Sequence, residues 1–491
     1  MKLLRHDQQR KPLREGFILA ALTMALGLGG QWAGEAFGEF GGLGAIYLSL
    51  CFIAWAVLSP PSHVGAERFV FFALWLEQPA FNPGAGYWVS PLNTPNIAMF
   101  SRMTDLHLKF VSVPFALVLA LLLWRKSRGP ARELWPLPGF RIARAGYLVL
   151  LAGICWTMLV GYMRGEPSWK DGYTQLLPLV TGAIEGLALL SALGAGASLT
   201  VLGTFLVLVA ALRSGLAAWV YFVVCGPQWI TPEYATHHAD SVTFVAALGL
   251  LACALVERRS KQDFWRLAIF GLVIMAGIVF NNRRAAYAAG GFGALTAFIL
   301  MSNSATKKAL IRYVLVGVPA LLVYFDVGKT NGAAFFKPAK LVWSMFDQRD
   351  SSTASRDIEN MNLAATVADF PLFGTGFGYP YKEHVSSFDV SEFLANYQYY
   401  PHNTVLGLLQ YGGIIGFTLM WWPHMVQGLM AARAHRAAAD VNAKAAALWA
   451  AWCLGVTMTL DWGDMGISMQ PCLIISAVAI WCSARTVEFG R

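Results

Sequence analysis

Tyr400-Pro401-His402-Asn403-Thr404 joins a polar stretch, residues 326–402, to an apolar run that begins at once with Val405-Leu406-Gly407-Leu408-Leu409. Pro401 and the Asn403/Thr404 pair are suited to starting a helix, which sets His402 on its first turn, where water meets membrane. The partial positive charge at a helix N-terminus favours a neutral imidazole in that place. A neutral imidazole at the mouth of a bundle can accept a proton, which is the task of a general base. An interfacial polar residue without chemistry is the alternative for the same position.

Five arginines belong to the same face of the chain once loop charges assign its sides. Arg283 and Arg284, in Phe280-Asn281-Asn282-Arg283-Arg284, stand at the N-terminal end of an apolar run on the outer side. Cations there oppose both the helix dipole and the positive-inside bias, so an anionic partner is expected. Two guanidinium groups at a helix N-terminus suit a phosphate or diphosphate; a salt bridge to Asp357 or Asp347 is the alternative. Arg213 lies inside the apolar stretch 205–224, where a charge marks a lined cavity or a bound anion unless it snorkels to the headgroups. Arg164 follows a span outward, and Arg356 follows Ser355, a candidate helix cap. Together the five describe an outward-facing, membrane-level anion site beside a base.

The elements that must hold these residues are membrane spans. Of 491 residues, 56% are hydrophobic and 13% charged, against about 25% charged in soluble domains. The chain therefore reads as an all-α polytopic membrane protein, and its net charge of +9 follows from topology rather than from nucleic-acid binding. Apolar runs fall at 16–34, 40–58, 68–80, 108–124, 145–162, 174–194, 196–224, 241–256, 264–280, 285–302, 309–325, 403–422, 444–460 and 466–483, which predicts 12–14 spans. With fourteen spans the basic segments 1–15, 125–144, 257–266, 303–312 and 431–444 all face the cytoplasm, as do both termini. The basic N-terminal segment is expected to precede a retained first span rather than to form a cleaved leader. The chain is expected to be a single membrane domain, 1–491, with one large outward loop at 326–402, far beyond the usual connection length. Within the loop a short helix capped by Ser355 is expected, ending at Phe370-Pro371-Leu372-Phe373-Gly374 and lying on the membrane as a lid.

Other signals read as structural. Gly374-Thr375-Gly376-Phe377-Gly378 follows no strand, so it is not read as a nucleotide loop. The Gly412-x-x-x-Gly416 spacing predicts a helix-packing face. Seven scattered cysteines form no C-x-x-C pair and read as small apolar-run residues. His237 and His238 near Glu233 and Asp240 could hold a metal, although a solvated loop is the simpler reading. Glu35, Glu39, Asp461 and Asp464 are the remaining acids expected at the surface. No metal site and no cofactor are expected.

His402-Asn403, nine residues, then Gly413-Ile414-Ile415-Gly416 resembles the motif of the O-antigen ligase and polymerase superfamily: His, then Asn, Ser or Gln, nine residues, then Gly-x-x-Gly/Thr/Tyr. Ser355-Arg356-Asp357 through Phe370–Gly378 is similar to the large periplasmic loop of these proteins, and Arg283-Arg284 to the family's arginine position. The resemblance covers about 280–420. It implies a metal-independent, inverting glycosyltransferase in the bacterial inner membrane, working at the periplasmic face on a glycan carried by undecaprenyl diphosphate. His402 is then the base, the five arginines bind diphosphate, and Asn403, Gly413 and Gly416 support the site. The acceptor is a second lipid-linked repeat unit in a polymerase, or lipid A–core in a ligase; other polysaccharide-assembly proteins are a further partner class. Chain length favours polymerase of an exopolysaccharide or O-antigen over ligase. A flippase for the same lipid-linked glycan is the alternative of another class, and would place its cations along several spans. A metal-dependent transferase using Glu35 and Glu39 would lose activity with chelator.

Overall fold

In the computed structural model, residues 12–25, 49–58, 62–76, 105–108, 111–127, 138–193, 197–225, 235–236, 239–257, 261–302, 305–331, 336–345, 347, 351–386, 396–463 and 468–489 are described. The chain is an all-α polytopic membrane protein. Its helices are α1 (12–25), α2 (49–57), α3 (Ser62–Leu76), α4 (Phe115–Ser127), α5 (Pro138–Met163), α6 (Trp169–Leu193), α7 (Leu199–Trp219), α8 (Asp240–Glu257), α9 (Lys261–Asn281) and α10 (Arg284–Leu300). They continue with α11 (Ala305–Gly328), α12 (Lys337–Ser344), α13 (Ser351–Asp369), α14 (Thr404–Met420), α15 (Trp422–Ala437), α16 (Val441–Trp462) and α17 (Met469–Phe489). Among the described residues, eight helical stretches are long and apolar enough to cross a bilayer, and α9 and α10 contribute two shorter apolar ones.

Burial sorts these helices by their patterning. α17 is apolar on nearly every face between its polar ends and lies in the centre, with Leu473, Ile474, Ala477, Ile480 and Trp481 fully enclosed; a stretch without a polar face must be surrounded. It packs on α6, α15 and α16. α11 is the opposite case: Leu315, Leu321, Leu322 and Val323 are exposed, which in a bilayer means facing acyl chains. Starts are set by local side chains. Ser198 caps α7, Asn403 caps α14, and Asp440 caps α16 by accepting from the Asn442 and Ala443 amides.

Three expectations change. The run 108–124 opens as a β-hairpin, Asp105–Leu108 antiparallel to Val111–Pro114, before α4 begins at Phe115; Pro114 has no amide hydrogen and fits the residue just before a helix better than its interior. The 403–422 span continues as one stretch to Ala437, broken at Gly413 and again at Trp421, so 431–437 is helix rather than loop. In the long loop, α13 begins at Ser351, which places Ser355 inside the helix instead of at its cap. Its end at Asp369, ahead of Phe370-Pro371, falls where the sequence sets it.

Candidate active site

His402 is held between two helices. Asn403 is buried, and its Oδ1 accepts the Leu406 amide at 3.1 Å while its Nδ2 donates to Asn360 Oδ1 at 3.1 Å. The first bond starts α14; the second ties that start to α13. Glu359, also on α13 and buried, takes His402 with both oxygens. The His402 amide donates to Oε1 at 3.0 Å, and ring Nδ1 lies 2.9 Å from Oε2. A carboxylate only accepts, so this contact selects the tautomer with the proton on Nδ1 and leaves Nε2 with its lone pair. The His402 side chain is 40% exposed and Glu359 9%. One nitrogen is therefore anchored from inside while the ring still meets solvent. That arrangement suits a general base.

The loop that carries His402 is braced on α6. At the first turn of α6 the Ser168 hydroxyl accepts the Asp171 amide and donates to the Asp171 carboxylate. Asp171 also accepts from Asn396 Nδ2 at 3.1 Å and from the Tyr400 hydroxyl at 2.8 Å. Burial, and then the bond to Asp171, push the Tyr400 hydroxyl up to about 12, so it remains a donor at neutral pH. The Tyr399 carbonyl accepts from Gln175 and from Tyr411, both at 2.8 Å. Residues 371–376 run along the break in α14: the Ile414 amide donates to Pro371, and the amides of Thr375 and Gly376 donate to Gln410 and Tyr411. Those bonds give the glycine-rich segment a packing role.

Gly413 makes the break possible. It has φ 57° and ψ −167°, a conformation that is essentially glycine-only. A Cβ there would stand 2.4 Å from the Leu372 carbonyl, and one on Gly374 would stand 2.4 Å from the Gly413 nitrogen. Gly413→Ala is expected to destabilise the protein by about 2–6 kcal/mol, combining backbone strain with overpacking. Thermal unfolding in detergent checks this; an unchanged transition would show that the break does not depend on glycine. Gly416 faces α5, where a Cβ would meet Thr157 Oγ1 at 2.8 Å, in keeping with a helix-packing position.

The five arginines occupy different places. Arg283, 8% exposed, stands at the N-cap of α10 without a side-chain cap bond. Arg284 donates through NH1 to Thr353 Oγ1 at 3.0 Å and to Ser344 at 3.2 Å. Thr353, Arg356 and Glu359, spaced by three residues, share a face of α13 within about 120°. Arg284 and Arg356 thus lie on the α13 side of His402. Arg164 stacks over Phe370 at 4.1 Å, just past the other end of α13, about 24 Å along the axis from Thr353. Arg213 is in the interior, 1% exposed, bonded to Asp240 and to the Trp75 carbonyl (2.9 Å). At Ser241, the residue after Asp240, a separate buried polar group begins, with Asn281 donating to Ser241 at 2.8 Å and accepting from Thr236 at 3.0 Å. Arg213 and the end of α9, next to Arg283, thus both hold the first turn of α8.

Glu359, Asp171 and Tyr400 were not singled out by the sequence. The separations of 43 residues from Glu359 to His402 and 229 from Asp171 to Tyr400 leave no local signal; the only pointer to Glu359 is its place three residues after Arg356. Asp240, considered as a metal ligand, instead holds Arg213. His237, His238, Glu233, Glu35, Glu39 and Asp464 lie outside the described residues. Asp461, expected at the surface, is fully buried on α16 with His424 Nε2 3.6 Å away, because α16 runs on to Trp462 within the bundle.

The fold and this site define a polytopic membrane protein with a carboxylate-held histidine where a large loop meets a broken helix. Residues 267–421 match the family model described as O-Antigen ligase. Members of that family are glycosyltransferase-like enzymes, and the match supports an O-antigen ligase/polymerase-type function in polysaccharide assembly. No curated protein matches the chain.

Proposed function

We propose that this protein is a metal-independent, inverting glycosyltransferase of the bacterial inner membrane. It polymerises undecaprenyl-diphosphate-linked repeat units of an exopolysaccharide or O-antigen at the periplasmic face. The observation that carries the reading is the Glu359–His402 contact, 2.9 Å from Oε2 to Nδ1, within the segment that matches the family. His402 Nε2 takes the proton of the acceptor hydroxyl as that oxygen bonds to the anomeric carbon. The bond from the anomeric carbon to the lipid diphosphate breaks, and its electron pair leaves on the diphosphate with inversion at carbon. Glu359 does not touch substrate; it positions the ring and steadies the imidazolium that forms. Arg283, Arg284 and Arg356 supply the positive charge for the departing diphosphate. Arg213 braces this end of the bundle through Asp240, and Arg164 holds the far end of α13. With base and charge both from side chains, the step needs no metal.

Product analysis tests this reading. Purified protein in detergent, given an undecaprenyl-diphosphate repeat unit with and without chelator, is expected to build a ladder of lengthening lipid-linked chains in both cases. A single transfer product that appears only after lipid A–core is added would mean ligase. A ladder abolished by chelator would overturn metal independence. Glycan crossing a vesicle membrane with no new glycosidic bond would mean flippase.

A further inference from the structure

At the bundle end away from His402 there is a cavity of about 510 Å³. Its walls include Leu202, Leu206, Leu251, Phe270, Trp449 and Val478. They belong to the early turns of α7, α9 and α16 and the later turns of α8 and α17. The chain enters α14 beside His402 and leaves α15 just before α16 begins, so the start of α16 marks the opposite end. The cavity is half open to its surroundings, and its volume falls within the range of ligand sites.

One turn beyond the lining residues of α17 stands a cation, Arg485. Ile475, Val478 and Cys482 line it at helical spacing, and Arg485 is the next position of that stripe. Its guanidinium donates to the Ala197 carbonyl, two residues before the lining Leu199, and sits over the Trp481 ring at 5.3 Å. One of five N–H donors is used in that bond, and the planar fork suits phosphate oxygens. Asn442 is a polar lining residue at this end. Among the described acids at this end, the Glu67 carboxylate accepts the Ser198 amide at 2.6 Å, Glu15 pairs with Arg68 at 3.3 Å, and Glu257 lies 3.5 Å from His435 Nε2.

We propose that this cavity binds one acyl chain of an anionic glycerophospholipid, with the lipid phosphate on Arg485. The assignment of the end rests on the proposed function, which puts the lipid-linked donor's diphosphate beside His402. A donor held there cannot also place its phosphate on Arg485, across a bilayer core about 30 Å thick. The surrounding bilayer supplies acyl chains directly.

The test uses the full purified chain in detergent and phosphatidylglycerol with dibrominated acyl chains, which quench nearby indoles such as Trp449. Saturable quenching is expected, with Arg485→Gln weakening it about tenfold, the scale of a lost hydrogen bond to a charged group, down to the level of brominated phosphatidylcholine. Gly203→Leu is expected to remove it by filling the space; a Cβ there meets the flexible end of Leu250 at 3.0 Å. Arg485→Gln fills nothing, so it decides the matter even if Gly203→Leu misfolds. Equal quenching by both headgroups, quenching that survives Gly203→Leu, or saturable binding of a brominated polyprenyl phosphate alone would each overturn the proposal. Ladder formation is read in the same preparations: its loss with lipid quenching intact counts against glycosyl transfer and not against this site.

Discussion

His402→Ala is expected to lower the rate of glycosyl transfer about 10²–10⁴-fold, the span of a positioned general base, with a modest fall in the transition temperature because Glu359 keeps the His402 amide but loses the ring. The loss should fall on kcat with little change in donor KM, the pattern of an interaction made only in the transition state. Glu359→Gln separates positioning from mere packing. The amide keeps the shape and the bond from the His402 amide, yet it can present N–H₂ to Nδ1 where the carboxylate could only accept. The imidazole is then free to hold its proton on Nε2, where it cannot act as a base. A roughly 10–100-fold loss is expected, the scale seen when an orienting partner is removed, together with a shifted pH–rate profile. A structural role alone would lower the transition temperature and leave that profile in place. His402→Ala protein that transfers within about fivefold of the native rate, far less than the loss of a general base, would remove His402 from the mechanism altogether.

The second large effect lies in the interior. Arg213→Ala leaves Asp240 buried without its cation, and breaking such a pair costs about 3–5 kcal/mol. The expected result is a large fall in the thermal transition or loss of folded protein. Arg213→Met combined with Asp240→Leu, which removes both charges, should recover most of the stability, since desolvation then no longer opposes the fold. Activity of the double variant should follow its folded fraction. If Arg213→Ala kept its stability but raised donor KM strongly, Arg213 would belong with Arg283 and Arg284 at the diphosphate.

These two effects arise at different levels of the molecule. His402 was readable because its signals are local: a Pro-His-Asn run at the border of an apolar stretch, with Asn403 able to cap the helix that starts there. The end of α13 before Pro371 was readable for the same reason, since proline acts on its own backbone; the break at Gly413 was not, because its glycines also suit a continuous helix-packing face. Composition and loop charge in turn specified an all-α polytopic membrane protein, because the cost of burying charge in hydrocarbon acts on every run separately. The partners were not readable. Glu359 reaches His402, Asp171 reaches Tyr400 and Asp240 reaches Arg213 only after α13, α6 and α8 have packed. Asp461 shows the same limit: its position near a helix end suggested solvent, and packing against His424 placed it inside. Sequence determined that the chain is a set of apolar helices and where His402 stands among them; the tertiary structure decided where α14 breaks and which charges meet, because those outcomes depend on rotations and offsets between helices that no short stretch encodes.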